Sequence, residues 1–229
     1  RFRSPPLSDL IVALPTIVSA TAPRRSLSNT AFARPAGSAA PLSRAAWVVQ
    51  KYLEAPMLYH RRKFDVRVFA VLESAPDTAL GFRLYAHREG YGRTSSEEYS
   101  MAATHTSMHL TNYAVQKHAK YASKHERGNC VSFGDLDQHL GASAGFVERV
   151  VPAMHALVAD AALALRPVLL DTLKTAATPH ATFRDLVAFD LIVDATGVPM
   201  MLEVNPSPGM EPQSPWHGKY LARLLDDYV

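Results

Sequence analysis

The sequence is poor in cysteine: Cys130 is the only one among 229 residues, so no internal disulfide can form. A secreted disulfide scaffold and any multi-cysteine zinc or iron–sulfur centre are thereby excluded, and a reducing compartment is the default. Long apolar runs are missing too. No window reaches the ~18 uninterrupted apolar residues of a membrane-spanning helix. The nearest candidate, residues 150–170, is broken by Pro152, His155, Asp160, Arg166 and Pro167, so no membrane partner is expected. No repeat occurs at a solenoid period. Acid is nearly absent from residues 1–46, where six arginines face only Asp9, while the remainder holds 18 bases and 20 acids. The formal charge of +3 therefore sits in the leader, and the body is not a basic nucleic-acid-binding surface.

What is present is an ordinary globular composition, 48% hydrophobic and 20% charged. A chain of this length buries enough surface for one domain with a short appendage, and it is expected to be a monomer. It opens on arginine, which reads as a fragment or a processed form. Residues 1–46 read as a Pro/Ala/Ser/Arg-rich leader or linker, disordered, with a targeting segment as the alternative. Leu10–Ala20 has the length of a signal-peptide apolar region, but Asp9 and Pro15 interrupt it.

From Trp47 to Val229 the texture is that of a folded body. Trp47–Leu53, Val66–Glu73 and Leu80–Ala86 are β-branched or aromatic runs of strand length, and Arg88–Gly92 reads as a turn after the third. Phe133–Leu140 reads as helix. So does Gly145–Thr175, with apolar residues at Phe146, Val150, Met154, Leu157 and Ala161. Pro152 and Pro167 are expected to limit that second helix to roughly four turns. Leu186–Val193 and Val198–Val204 flank the turn signal Asp194-Ala195-Thr196-Gly197, so an antiparallel hairpin follows, and Trp216–Tyr228 closes as a helix.

Three constellations carry chemistry. In the second strand of the hairpin, Glu203 and Asn205 stand at i and i+2 and project from one face. With Asp194 opposite Val198 or Pro199, the register brings Asp190 level with Leu202 or Glu203. Asp190, Glu203 and Asn205 would then form an all-oxygen set suited to Mg²⁺, completed by nucleotide phosphates. The alternative is a polar hairpin with no metal. In Arg62-Lys63-Phe64-Asp65-Val66-Arg67, the residues Lys63, Asp65 and Arg67 share one strand face, a cationic stripe with a central carboxylate of the kind a triphosphate needs. A solvated strand face with a surface ion pair is the competing reading. Thr111 and Asn112, in His109-Leu110-Thr111-Asn112, offer a hydroxyl and an amide to a nucleotide or, equally, to turn capping.

Taken in order, QKYL (50–53), RKFDVR (62–67), YGRTSSEEY (91–99), HLTNYAVQKH (109–118), FDLIVD (189–194) and LEVNPSP (202–208) resemble the tubulin–tyrosine ligase family over residues 47–213. The resemblance implies an α/β (α+β) ATP-grasp-like fold, a mixed or antiparallel sheet with packed helices. It implies ATP and Mg²⁺ as cofactors, and ligation of a free amino acid to the C-terminal tail of tubulin through an acyl phosphate. Location in the cytoplasm, on the microtubule cytoskeleton or in a cilium or flagellum goes with it. Carried over by motif, Gln50, Lys51 and Leu53 match the adenine segment. Lys63, Asp65, Arg67 and Arg93 match positions around the phosphates and the acceptor carboxylate, and Thr111 and Asn112 match further nucleotide positions. Asp190, Glu203 and Asn205 match the metal ligands.

The sequence also departs from the family. Residues 1–46 hold one glycine, Gly37, and no lysine, where the family carries further nucleotide-binding lysines and a glycine-rich loop. Either the protein continues upstream, or the reading of its gene is faulty, or this copy is a weak or inactive ligase. Limited proteolysis is expected to trim the leader first. Tyrosine is the first expectation for the added amino acid, glutamate the second and glycine the third. The basic loop Lys117–Arg127, with Lys120 and Lys124 at its centre, is the expected contact for an acidic tail. The alternatives in other classes are a nonenzymatic tubulin-binding module and an ATP-grasp ligase with a non-tubulin acceptor.

Overall fold

A computed structural model of the chain describes residues 11–13, 50–103, 105–119, 125–175 and 183–228. The chain divides into two units, one of Arg1–Pro15 with Ala55–Val229 and one of Thr16–Glu54. Of the second unit, residues 50–54 are described, and their backbone is irregular. The strand expected at Trp47–Leu53 is thus absent over Gln50–Leu53, because no ladder partner pairs with them among the described residues; Trp47–Val49 lie outside those residues. Most of the leader also lies outside them, while Ile11–Ala13 forms a short strand.

The first unit is built on an antiparallel sheet. Its strands are β1 (Ile11–Ala13), β2 (Leu58–Tyr59), β3 (Arg62–Ala75), β4 (Gly81–Glu98), β5 (Cys130–Ser132), β6 (Arg184–Val193) and β7 (Pro199–Asn205). The central order is β1-β4-β3-β6-β7, with β2 added to β3 and β5 to β4. Three four-residue helices, α1 (Thr106–His109), α2 (Tyr113–Gln116) and α3 (Glu126–Asn129), lie between β4 and β5. Helix α4 (Phe133–Leu140) starts on a reciprocal capping box, with Ser132 accepting from the Asp135 amide and the Asp135 carboxylate receiving the Ser132 N–H. A π-helical turn at Phe146–Val150 leads into α5 (Val151–Thr175), and α6 (Pro215–Tyr228) closes the chain.

Period-two alternation assigns every strand residue to one of two sheet faces. Phe64, Val66, Val68, Ala70 and Leu72 of β3, with Val187, Phe189, Leu191 and Val193 of β6, pack under Leu136, Phe146, Val150, Met154 and Val158. The opposite face is apolar only under α6, where Phe69, Tyr91 and Ala188 meet Tyr220, Leu221 and Leu224. Beyond α6 that face is polar and carries the charged residues. Helix α5 is long and apolar enough to cross a membrane by length and composition. Here Met154, Val158 and Ala162 of one stripe are buried in the core.

Two further expectations are corrected. Arg88–Gly92 is not a turn: β4 runs through it, and the excess residues are taken up as a bulge, Val68 pairing with Gly90 but Ala70 with Ala86. The bulge serves α6, since His87 Nε2 meets Asp227 at 3.0 Å and Tyr220 donates to the Glu89 carbonyl at 3.2 Å. Nor do the prolines confine α5 to four turns. Pro152 falls where the π-helical turn Phe146–Val150 passes into α5, a point at which the regular hydrogen-bond ladder is already interrupted, and Pro167 interrupts a half-exposed stretch in which water can satisfy the freed carbonyl. The helices at Phe133–Leu140 and Trp216–Tyr228 and the final hairpin form as expected.

Gly90 and Gly92 let β4 lie close under its neighbours. A Cβ at Gly90 would stand 2.6 Å from the Arg67 carbonyl oxygen and 2.5 Å from the Phe133 ring, so something must shift. Gly90→Ala is expected to destabilise the fold by about 1–3 kcal/mol in urea unfolding. Gly134→Ala, whose Cβ meets only Ser132 Oγ at 3.8 Å, should be neutral or stabilising. Equal stability of the two variants would show that the strands do not approach this closely.

Candidate active site

The polar sheet face is organised by register. Asp65 on β3 stands directly opposite Arg93 on β4, and Arg67 opposite Asp190 on β6. Asp190 in turn stands opposite Glu203 on β7. Directly opposed side chains in an antiparallel pair lie within contact distance, so these pairings dictate which charges meet. Arg93 Nε donates to Asp65 Oδ1 at 2.8 Å, and its Nη2 to Asp65 Oδ2. Arg67 grips Asp190 with two bonds, Nε to Oδ1 and Nη2 to Oδ2, both 2.8 Å. Arg93 Nη2 also reaches Asp190 Oδ2 diagonally at 2.9 Å. Two acids and two bases thus form one neutral, nearly dry array.

Its charges are fixed by the array itself. Burial alone would push Arg93 toward the neutral form, but the charge and hydrogen bonds of Asp65, with Asp190 behind, hold its pKa above the ordinary arginine value. Burial would likewise raise Asp190, and the hydrogen bond from Arg67 with both guanidinium charges brings it below the usual carboxylate value. Lys63, buried beside them by alternation, is lowered by desolvation against the opposing pull of Asp65. Cys130 is pushed up to about 12 by burial and stays a thiol.

The metal-ligand expectation meets a specific geometry. The ladder slips by one residue between Asp190/Glu203 and Leu191/Met201, so Leu202 is extra. Met201 and Val204, three apart, both pack on the core. Glu203 and Asn205 point together on the other side, where Asn205 Nδ2 donates at 3.2 Å to both Asp190 Oδ2 and Glu203 Oε1. The three side chains expected to hold a metal therefore converge. Among the described residues no group of three His, Cys, Asp or Glu gathers, so a cation here would rest on two carboxylates, one amide oxygen and non-protein oxygens. The donor set fits Mg²⁺ once the Asn205 amide turns its oxygen inward.

Other expected residues are placed less closely. Thr111 is buried and Asn112 exposed at the start of α2, and Asn112 makes no side-chain capping bond. The segment is tied to β4 by Gln116, which accepts the Ser96 N–H at 2.8 Å and donates to the Ser107 carbonyl at 2.7 Å. Gln50, Lys51 and Leu53 belong to the Thr16–Glu54 unit. In the basic loop, Lys120 and Lys124 lie outside the described residues.

Three features escape the sequence reading. Buried Arg62 pairs with Glu126, reaching Oε2 at 2.9 Å and also bonding the Ser95 carbonyl at 3.0 Å. Tyr91 lies opposite Arg67, raised to about 12 by burial. His217 on α6 stands against the Tyr91 ring at 4.6 Å, its Nδ1 accepting the Gln213 N–H at 3.1 Å and its buried Nε2 without a partner. The only available signal was the quoted motif YGRTSSEEY for Tyr91; Arg62–Glu126 and His217 needed the register and the docking of α6.

A model of the tubulin–tyrosine ligase family matches residues 16–229, and the chain belongs to that family. Its α+β, antiparallel-sheet architecture is the family's ATP-grasp-like fold. The chain is similar to tubulin glycylase 3A of Drosophila melanogaster, 29% identical over 82% of this chain and 18% of that protein. It is similar to the tubulin monoglycylase of Danio rerio, 32% identical over 73% of this chain and 21% of that one. A tubulin polyglutamylase of Mus musculus is 27% identical over 80% of this chain and 26% of its own length. The chain thus spans about a quarter or less of these relatives.

Burial holds two histidines neutral. His217 is lowered to about 4 by desolvation and by the charge of Arg67, and His155 is lowered by desolvation. The unfolded chain binds protons below about pH 6.5 that the folded chain refuses, so stability is lost as pH is lowered through that range, by up to about 1.4 kcal/mol per unit for each such group. The Asp190 contribution disappears in a separate window, below the ordinary carboxylate value. Urea unfolding at a series of pH values from 7 to 4.5 should show the slope, and His217→Gln should make it shallower. A pH-independent midpoint across that range would show that neither histidine is held neutral.

Proposed function

We propose that this chain is the metal- and phosphate-holding part of an ATP-dependent ligase that adds an amino acid to tubulin tails. The observation that carries this reading is the convergence of Asp190, Glu203 and Asn205 beside the Asp65–Arg93–Asp190–Arg67 array on one sheet face. Mg²⁺ bound there would supply charge neutralisation for a triphosphate. The chain's own residues do the rest. Lys63 and Arg67 offer a point charge and a planar fork to anionic oxygens, and Asp65 holds Arg93 in a fixed orientation. Phosphoryl transfer asks mainly for such positioning and charge. A substrate carboxylate attacks the terminal phosphorus of ATP, the bond to ADP breaks, and an acyl phosphate forms. The amine of the second substrate then attacks the acyl carbon, losing its proton as inorganic phosphate departs. No protein nucleophile enters, in keeping with the thiol form of Cys130.

The names of the three relatives favour glycine or glutamate as the added residue; tyrosine, the first expectation from the sequence, has no support in them. The acidic tail would meet the basic loop, whose lone acid, Glu126, is turned inward onto Arg62. Association with microtubules follows from that substrate.

In the full-length protein, Glu203→Gln is expected to lower ligation of labelled glycine or glutamate to a tubulin-tail peptide by about 10-fold or more, with unfolding temperature unchanged. Unaltered turnover would remove Glu203 from the metal set. Incorporation of tyrosine alone would overturn the choice of amino acid.

A further inference from the structure

Asp190 is over-subscribed. Its Oδ1 receives Arg67 Nε, and its Oδ2 receives Arg67 Nη2, Arg93 Nη2 and Asn205 Nδ2, all at 2.8–3.2 Å. A carboxylate offers about four acceptor directions, so a cation cannot be added to Asp190 while all four donors stay. Turning the Asn205 amide removes one donor. Oδ2, the oxygen that Asn205 reaches, still receives Arg67 Nη2 and Arg93 Nη2 in its two acceptor directions, so a cation seated beside Asn205 requires one guanidinium to withdraw, and the two are held unequally. Arg93 is clamped from the other side by the two bonds of Asp65, both side chains being almost wholly buried. Arg67 has its bonds to Asp190, and its side chain is 13% exposed against 8% for Arg93. The two positive charges also repel each other across the shared carboxylate.

We propose that Arg67 and a divalent cation compete for Asp190, and that cation binding releases the Arg67 fork to hold the carboxylate of an incoming substrate. This rests on the reading of Asp190, Glu203 and Asn205 as metal ligands and deepens it. A planar fork that has just lost one carboxylate is shaped to take another bidentately, and it stays next to the cation that displaced it. Cation and carboxylate substrate then bind with positive coupling, and the same factor appears whichever is added first. An activated acyl group is thereby formed only where both are present.

The consequence has an unusual sign: removing Arg67 tightens metal binding. Mn²⁺ alone is titrated into the chain, and free Mn²⁺ is counted by its electron paramagnetic resonance signal. Arg67→Gln should bind Mn²⁺ about 3- to 10-fold more tightly than the unaltered chain, the span of an ordinary coupling between two sites. Arg67→Lys, which keeps the charge but not the fork, should show a smaller gain and serves if the glutamine variant does not fold. Glu203→Gln should bind Mn²⁺ more weakly. Saturation-transfer NMR with N-acetylglutamate should show tighter binding when Mg²⁺ is saturating, and Arg67→Gln should abolish that difference. Equal or weaker Mn²⁺ binding by both Arg67 variants, with binding by the unaltered chain intact, would overturn the competition and leave the metal site standing. Mn²⁺ binding by none of the variants would overturn both.

Discussion

Two carboxylates and two guanidiniums, Asp65, Arg93, Asp190 and Arg67, are held out of water on one face of an antiparallel sheet, and the site depends on that arrangement. Burying a charge is expensive, and burying four is tolerable only when each has a partner at hydrogen-bonding distance and the sum is zero. The ladder meets both conditions, because Asp65 faces Arg93 and Arg67 faces Asp190 across neighbouring strands. A slip of one residue in either pairing would turn one charged row into the apolar core. The array therefore guards the register as much as it equips the face.

The apolar half of the molecule supplies the rigidity that this requires. Phe64, Val66 and Val68 alternate with Lys63, Asp65 and Arg67, so each step along β3 anchors one side chain under α4 and α5 and aims the next at the site. The bulge in β4 at His87–Glu89 gives α6 its docking points, and α6 covers Phe69 and Tyr91 at the edge of the charged patch. On β7 the extra residue Leu202 lets Glu203 and Asn205 point outward together while Met201 and Val204 both remain inside.

How much of this was legible in the sequence follows from the range of each interaction. The final hairpin, α4 and α6 are written in local signals: a turn tetrapeptide, a capping serine, a period of 3.6. The convergence of Asp190 with Glu203 was within reach because only five residues separate their strands. Arg88–Gly92 misled because glycines that permit close packing of strands look the same as glycines that make turns. Pro167 misled because a helix half exposed to water tolerates a missing N–H. Strand alternation put Lys63, Asp65 and Arg67 on one face, yet their partners Arg93 and Asp190 come from distant segments, and only the register joins them. Arg62–Glu126 and His217 depend wholly on tertiary docking. The membership in the tubulin–tyrosine ligase family was legible through motif order.

The central claim is that Asp65 and Arg93 act as one unit in holding the charged face together. A double-mutant cycle measures this directly, with Asp65→Asn, Arg93→Met and the pair compared by urea unfolding at pH 7. Each single change strands a buried charge and should destabilise by about 3–5 kcal/mol, while the double variant should lose at least about 2 kcal/mol less than the sum of the singles. Additivity of the two changes to within about 0.5 kcal/mol would mean that the residues do not sense each other, and the account of the site as a register-locked array would be wrong.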